Sequence, residues 1–94
     1  MTTLRIEHEI RDYSSWKAAF DSDPLGRQQS GVRRYRVFQP VDDPQFVLID
    51  LDFDDSASAQ GFLARMRKVW ARVDGTVMMN PRTRIVEPAE SKEY

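Results

Sequence analysis

The sequence predicts a two-layer α+β sandwich in which two helices cover one face of a four-stranded antiparallel sheet. Three observations carry this expectation. Four segments alternate apolar and polar residues with a strand's period of two. Two others repeat apolar residues at steps of three and four, as a helix with one buried stripe does. These segments follow one another in the order β-α-β-β-α-β.

The first strand is read over Thr3–Arg11, with Leu4, Ile6, His8 and Ile10 on one face and Arg5, Glu7, Glu9 and Arg11 on the other. Asp12 then suits a helix N-cap, and Tyr13, Trp16 and Phe20 follow at helical spacing. Asp23-Pro24 ends this short helix, because the residue before a proline avoids the α region. A further helical turn is expected from Pro24 through Gln29, closed by Ser30-Gly31.

Val32–Gln39 reads as the second strand, with Tyr35 and Val37 facing one way and Arg34, Arg36 and Phe38 the other. A proline- and aspartate-rich turn over residues 40–44 joins it to the third strand, Phe46–Phe53. There Val47, Ile49, Leu51 and Phe53 form the apolar face, against Leu48, Asp50 and Asp52. The short turn makes the pair a hairpin and sets Arg34 and Arg36 opposite or diagonal to Asp50 and Asp52. Each such pair is worth about 0.2–1 kcal/mol.

Ser56–Val73 is expected to be the longer helix, opened by Asp54-Asp55. Ala59, Phe62, Leu63, Met66, Trp70 and Val73 mark its stripe, and Arg65, Arg67, Lys68 and Arg72 collect toward its negative dipole end. Asp74-Gly75 supplies the stop, Met78-Met79-Asn80-Pro81 a linker, and Thr83–Val86 the last strand. From Pro88 the polar tail is expected to fray.

Residues 1–94 therefore make one domain whose length allows only about 60–65 % of the unfolded surface to be buried, so a partner copy would add stability. Composition narrows the chemistry. Lys and Arg total 14 against 15 Asp and Glu, leaving a net charge of −1, without the basic excess that nucleic-acid binding wants. No cysteine is present, so neither a thiolate nucleophile nor a Cys-ligated metal is available, and one histidine cannot make a His cluster. Gly26, Gly31, Gly61 and Gly75 are scattered and form no phosphate loop. The N-terminal residues lack an apolar run long enough for a signal peptide or membrane span, so the expected location is the cytoplasm.

The charged strand faces would gather Arg5, Glu7, Glu9, Arg11, Arg34, Arg36, Asp50, Asp52, Arg82 and Arg84 on the sheet's open side. A lattice of both signs suits a wet face, and equally a self-complementary surface meeting its own copy across a two-fold axis.

Together with the element order, the strand-to-helix run Ile6-Glu7-His8-Glu9-Ile10-Arg11-Asp12-Tyr13-Ser14-Ser15-Trp16-Lys17 resembles the ferredoxin-like dimeric α/β-barrel superfamily, which includes the antibiotic-biosynthesis-monooxygenase-like proteins. The resemblance spans about residues 3 to 87. It implies a homodimer whose sheets face each other in a barrel, and one ligand pocket per subunit between sheet and helices. Members include cofactor-free monooxygenases acting on aromatic polyketides and haem-degrading enzymes. The latter typically take an axial histidine from the second helix, where this sequence has none, only Trp70 among apolar and basic residues.

His8 is the candidate catalytic base, an imidazole on an otherwise apolar strand face; the alternative is a neutral core histidine held by a backbone group or a tyrosine hydroxyl. Tyr35 is the candidate hydrogen-bond partner. Trp16, Phe20, Phe62, Met66 and Trp70 are the candidate substrate-binding residues for a flat apolar ligand, although aromatic stripes also build ordinary cores. No cofactor or metal is called for. Glu7, Glu9, Asp50 and Asp52 share their face with arginines, so ion pairing accounts for them. Two functions stay open: a cofactor-free monooxygenase acting on an apolar aromatic substrate, and a non-catalytic ligand-binding or structural homodimer.

Overall fold

A computed structural model, describing residues 1–72 and 79–94, gives β1 (Thr2–Glu9), α1 (Tyr13–Asp21), β2 (Arg34–Phe38), β3 (Phe46–Phe53), α2 (Ser56–Trp70) and β4 (Met79–Val86). The sheet order is β2-β3-β1-β4 and every neighbouring pair is antiparallel. This is the ferredoxin-like α+β sandwich, with β3 and β1, which carry the buried Leu4, Ile6, Val47, Ile49, Leu51 and Phe53, at its centre.

Both helices begin where their aspartates predict. Asp12 Oδ1 accepts the Ser15 backbone N–H at 2.8 Å, and Asp55 Oδ1 accepts that of Ser58 at 2.8 Å. The expected helical turn over Pro24–Gln29 does not form. Asp23 (φ 50°) and Gly26 (φ 63°) are left-handed, which breaks helical continuity and folds the chain into consecutive turns. β4 is longer than expected, because Met79-Asn80-Pro81 pairs rather than links. Glu9 faces Met79 across a register shift from the Glu7–Arg82 pair. Pro81 has no N–H for the ladder and Asn80 (φ 50°) tolerates the left-handed region, so the local breakers produce a bulge and not a strand end. The expected helix end at Val73, the Asp74-Gly75 stop and Met78 lie outside the described residues.

Alternation holds along β1 and β3. Leu4, Ile6, Val47, Ile49, Leu51 and Phe53 are buried toward the helices, with Trp16, Ala59, Phe62 and Leu63 packed on them. On the open face Arg34 lies opposite Asp52, and Asp50 lies between Arg36 and Arg5. Asp50 accepts from Arg5 Nε and Nη2 at 2.8 and 2.9 Å, with Arg36 Nη2 at 3.6 Å. Asp52 accepts from Thr3 Oγ1 at 2.7 Å and Arg34 Nε at 2.9 Å. Both carboxylates are only 2 % exposed beneath arginines that reach water. Burial pushes the Asp52 carboxyl up, but the hydrogen bonds from Thr3 and Arg34 and the nearby Arg34 and Arg36 charges outweigh it and hold the pKa low. Further along this face the character changes: Phe38 lies opposite Leu48, and Phe46 opposite Glu9.

Candidate functional site

A cavity of about 340 Å³ lies between the sheet and the two helices, within the size range of small-molecule sites. Its floor is Ile6 of β1 with Ile49 and Leu51 of β3. Trp16, Ala19 and Phe20 of α1 form one wall, and Met66, Val69 and Trp70 of α2 the other. Ser22, Pro24 and Arg27, from the connector after α1, close the rim.

The helices differ in how they meet this space. Trp16 is the one buried residue of α1, whereas α2 buries Ala59, Phe62 and Leu63 in its first half and leaves Met66, Val69 and Trp70 half-buried in its second. An aromatic column runs along the α1 side. Trp16 stacks on Phe20 with centroids 5.0 Å apart and planes at 24°, and Phe20 meets Tyr35 edge-on at 5.0 Å. The Arg27 guanidinium carbon sits 3.9 Å over the Phe20 ring and 5.2 Å from that of Tyr35.

His8 lies behind this wall, only 1 % exposed. Its Nδ1 is 3.0 Å from the Glu9 carbonyl oxygen, and the Trp16 Nε1–H donates to its Nε2 at 3.2 Å. A carbonyl only accepts, so Nδ1 carries the proton and Nε2 is the acceptor, which assigns the neutral tautomer from the hydrogen-bond network. Burial pushes the imidazole pKa below its ordinary value, partly opposed by the bond to Glu9. His8 is not a wall residue; it reaches the cavity only through the indole it holds.

Four of the sequence-selected residues, Trp16, Phe20, Met66 and Trp70, thus line one cavity. Besides His8, two others do not. Tyr35 makes no bond to His8 and is 43 % exposed, with Trp16 and Glu9 holding the imidazole instead. Alternation gave its face correctly, but β3 lies between β2 and β1, and Tyr35 is level with Leu51 where His8 is level with Val47, so two strand spacings and four residues of strand separate them. Phe62 is fully buried against Phe53, centroids 5.5 Å apart. It shares a stripe with Trp70, yet eight residues at about 1.5 Å each put it some 12 Å down the helix, in the closed core.

Arg27 is the charged lining residue that sequence reading missed. It sits in a connector where periodicity says nothing; the usable signal was the Asp-Pro-Leu-Gly punctuation before it, which turns the chain back at the end of α1. Among the described residues, no group of three or more His, Cys, Asp or Glu side chains is arranged to hold a metal ion, and no helix is long and apolar enough to cross a membrane.

No protein-family profile matches the chain, and no curated protein matches its sequence. Solved structures do match. A protein of unknown function from Nitrosomonas europaea is 19 % identical with a TM-score of 0.70, over 99 % of this chain and 93 % of that one. A mutant form of SnoaB, a cofactor-independent oxygenase from Streptomyces nogalater, is 10 % identical with a TM-score of 0.70, over 96 % of this chain and 94 % of its own. A candidate antibiotic biosynthesis monooxygenase from Deinococcus radiodurans is 14 % identical with a TM-score of 0.66, over 100 % and 98 %. The chain shares the ferredoxin-like fold of these structures; at these identities the likeness concerns the fold alone.

Proposed function

We propose that this protein binds a flat, apolar aromatic small molecule in the cavity between its sheet and helices, and that it does so as a homodimer. The observation that carries the reading is the cavity itself: about 340 Å³, walled by Trp16, Phe20, Met66 and Trp70 over an aliphatic floor. A core of this size would gain stability by closing such a space, since unfilled apolar volume forfeits packing energy. Dimerisation is supported by the open sheet face, where Asp50 and Asp52 are already paired within the chain and the adjoining Phe38 is 46 % exposed.

The test uses Nile red, a neutral apolar dye whose emission rises in apolar surroundings. Saturable binding of one dye per chain is expected, weakened at least tenfold in Ala19→Phe, which fills the cavity from its α1 wall. Equal binding by both proteins would remove the cavity from the account. Light scattering at micromolar concentration should give twice the subunit mass, and a monomer mass would sink the dimer.

A second reading, oxygenation without a cofactor, rests on the His8–Trp16 pair. In it the ligand displaces the indole N–H, and the freed Nε2 takes a proton from a carbon acid of the anthrone type. The carbanion then reduces dioxygen, turning the ring CH₂ into a carbonyl with release of water. Oxygen uptake with an anthrone that is lost in His8→Gln, while Nile red still binds, is the expected signature. No uptake, or uptake unchanged in His8→Gln, would leave the binding reading alone.

A further inference from the structure

Arg27 belongs to two cavities at once. It closes the rim of the apolar one and also lines a polar groove of about 380 Å³, together with Asp23, Arg33, Arg34 and Tyr35. The arginines of that groove differ in what they have left to offer. Arg33 is engaged by Asp54 through Nε at 3.2 Å and Nη2 at 2.6 Å, and Arg34 by Asp52 through Nε at 2.9 Å and Nη2 at 2.8 Å. Arg5, on the sheet, spends the same Nε–Nη2 edge on Asp50. Arg27 does not. Its Nη1 donates to the Phe20 carbonyl at 2.7 Å and lies 3.6 Å from the Asp23 carboxylate, but among the described residues its Nε and Nη2 donate to no protein acceptor.

That free edge is held in place. One guanidinium face lies on Phe20, and the backbone N–H of Arg27 donates to Asp23 Oδ1 at 2.8 Å. The turn leading to it contains the left-handed residues Asp23 and Gly26. Left-handed backbone at a non-glycine residue is costly and gathers where surrounding structure must fix a functional group. An Nε–Nη2 edge matches the two oxygens of a carboxylate, the use this chain makes of Arg5 on Asp50.

We infer that the ligand is amphipathic: an apolar ring system occupies the cavity, and a carboxylate attached to it is received by the Nε–Nη2 edge of Arg27 where cavity and groove meet. This rests on the reading that the cavity binds an apolar molecule. Arg27 is then the residue that selects acids over neutral molecules of the same shape.

Calorimetric titration with 2-naphthoate and its neutral counterpart 2-naphthamide, at a pH where the acid is ionised, tests both readings separately. The expected result is naphthoate binding about tenfold more tightly than naphthamide, as a charge-assisted pair allows. In Arg27→Gln the two affinities should converge to within about threefold. Equal affinities in the unmodified protein would overturn the inference while leaving the cavity reading intact. Binding of neither compound would overturn both. Because Arg27 also holds the Phe20 carbonyl, the ligand comparison in the unmodified protein decides the matter even if the variant fails to fold.

Discussion

The two ends of the helix–sheet layer are made from similar residues and packed to opposite purposes. At the first-half end of α2, Phe62 lies on Phe53 beside Leu4 and Ala59, and all four are 0 % exposed. At the second-half end, Met66, Val69 and Trp70 face Trp16 and Phe20 across an open space. The same helix serves both ends, so the difference does not come from its stripe. It comes from α1, whose one buried residue, Trp16, lines the wall together with the partly exposed Phe20. Stability is concentrated where Phe62 packs, and room for a ligand exists where α1 stands off.

Phe62 and Met66 separate the two ends most strongly. Phe62→Ala should cost about 3–5 kcal/mol of stability in urea unfolding, as deletion of a fully buried aromatic does. Met66→Ala should cost about 1 kcal/mol or less, since its side chain already borders a space, while weakening Nile red binding. Equal stability losses would show that the two ends are packed alike.

Next in size is the open sheet face. Asp50→Asn leaves Arg5 and Arg36 facing a neutral amide, and should cost about 1–3 kcal/mol, toward the lower end because both arginines reach solvent. Ligand affinity should not change, because this face is on the far side of the sheet. A parallel loss of affinity would show that the two faces are not independent.

Smaller effects belong to the histidine behind the cavity wall. Trp16→Phe keeps the stack on Phe20 but removes the donor to His8 Nε2, and should cost about 1 kcal/mol. The pH dependence follows from burial of a neutral imidazole. Below pH 6.5 the unfolded chain binds a proton that folded His8 refuses, so stability falls as the pH drops, by at most about 1.4 kcal/mol per pH unit. Above pH 6.5 this contribution is complete and flat. His8→Gln should remove the slope near pH 6, measured by urea midpoints across pH 5 to 8. The loss from Asp52, whose folded pKa is lowered, should persist at more acidic pH.

Much of this was legible from residue order. Leu4, Ile6 and His8 announced a half-buried strand, Asp12 and Asp55 announced helix starts, and Arg34 with Asp52 announced a cross-strand pair that the register confirms. What was hidden is distance. Periodicity reports the face a side chain points to, but not how far along a helix or across a sheet it sits. Tyr35 therefore looked like a neighbour of His8, and Phe62 like a neighbour of Trp70. Arg27 was hidden for a different reason: its position depends on two left-handed residues in a connector, which follow no repeat. Pro81 misled in the opposite sense, because a proline that usually ends a strand here sits in a bulge within one.

The claim that one end of the layer is a ligand site and the other a closed core can be measured residue by residue. Titration of the isotopically labelled protein with 2-naphthamide, followed by amide NMR shifts, reads both ends in one experiment. Saturable shifts are expected at Ile6, Trp16, Ile49, Met66 and Trp70, with Phe53, Ala59 and Phe62 nearly still. Shifts centred instead on Phe38 and Leu48 of the open sheet face, or no saturable shift anywhere, would contradict it.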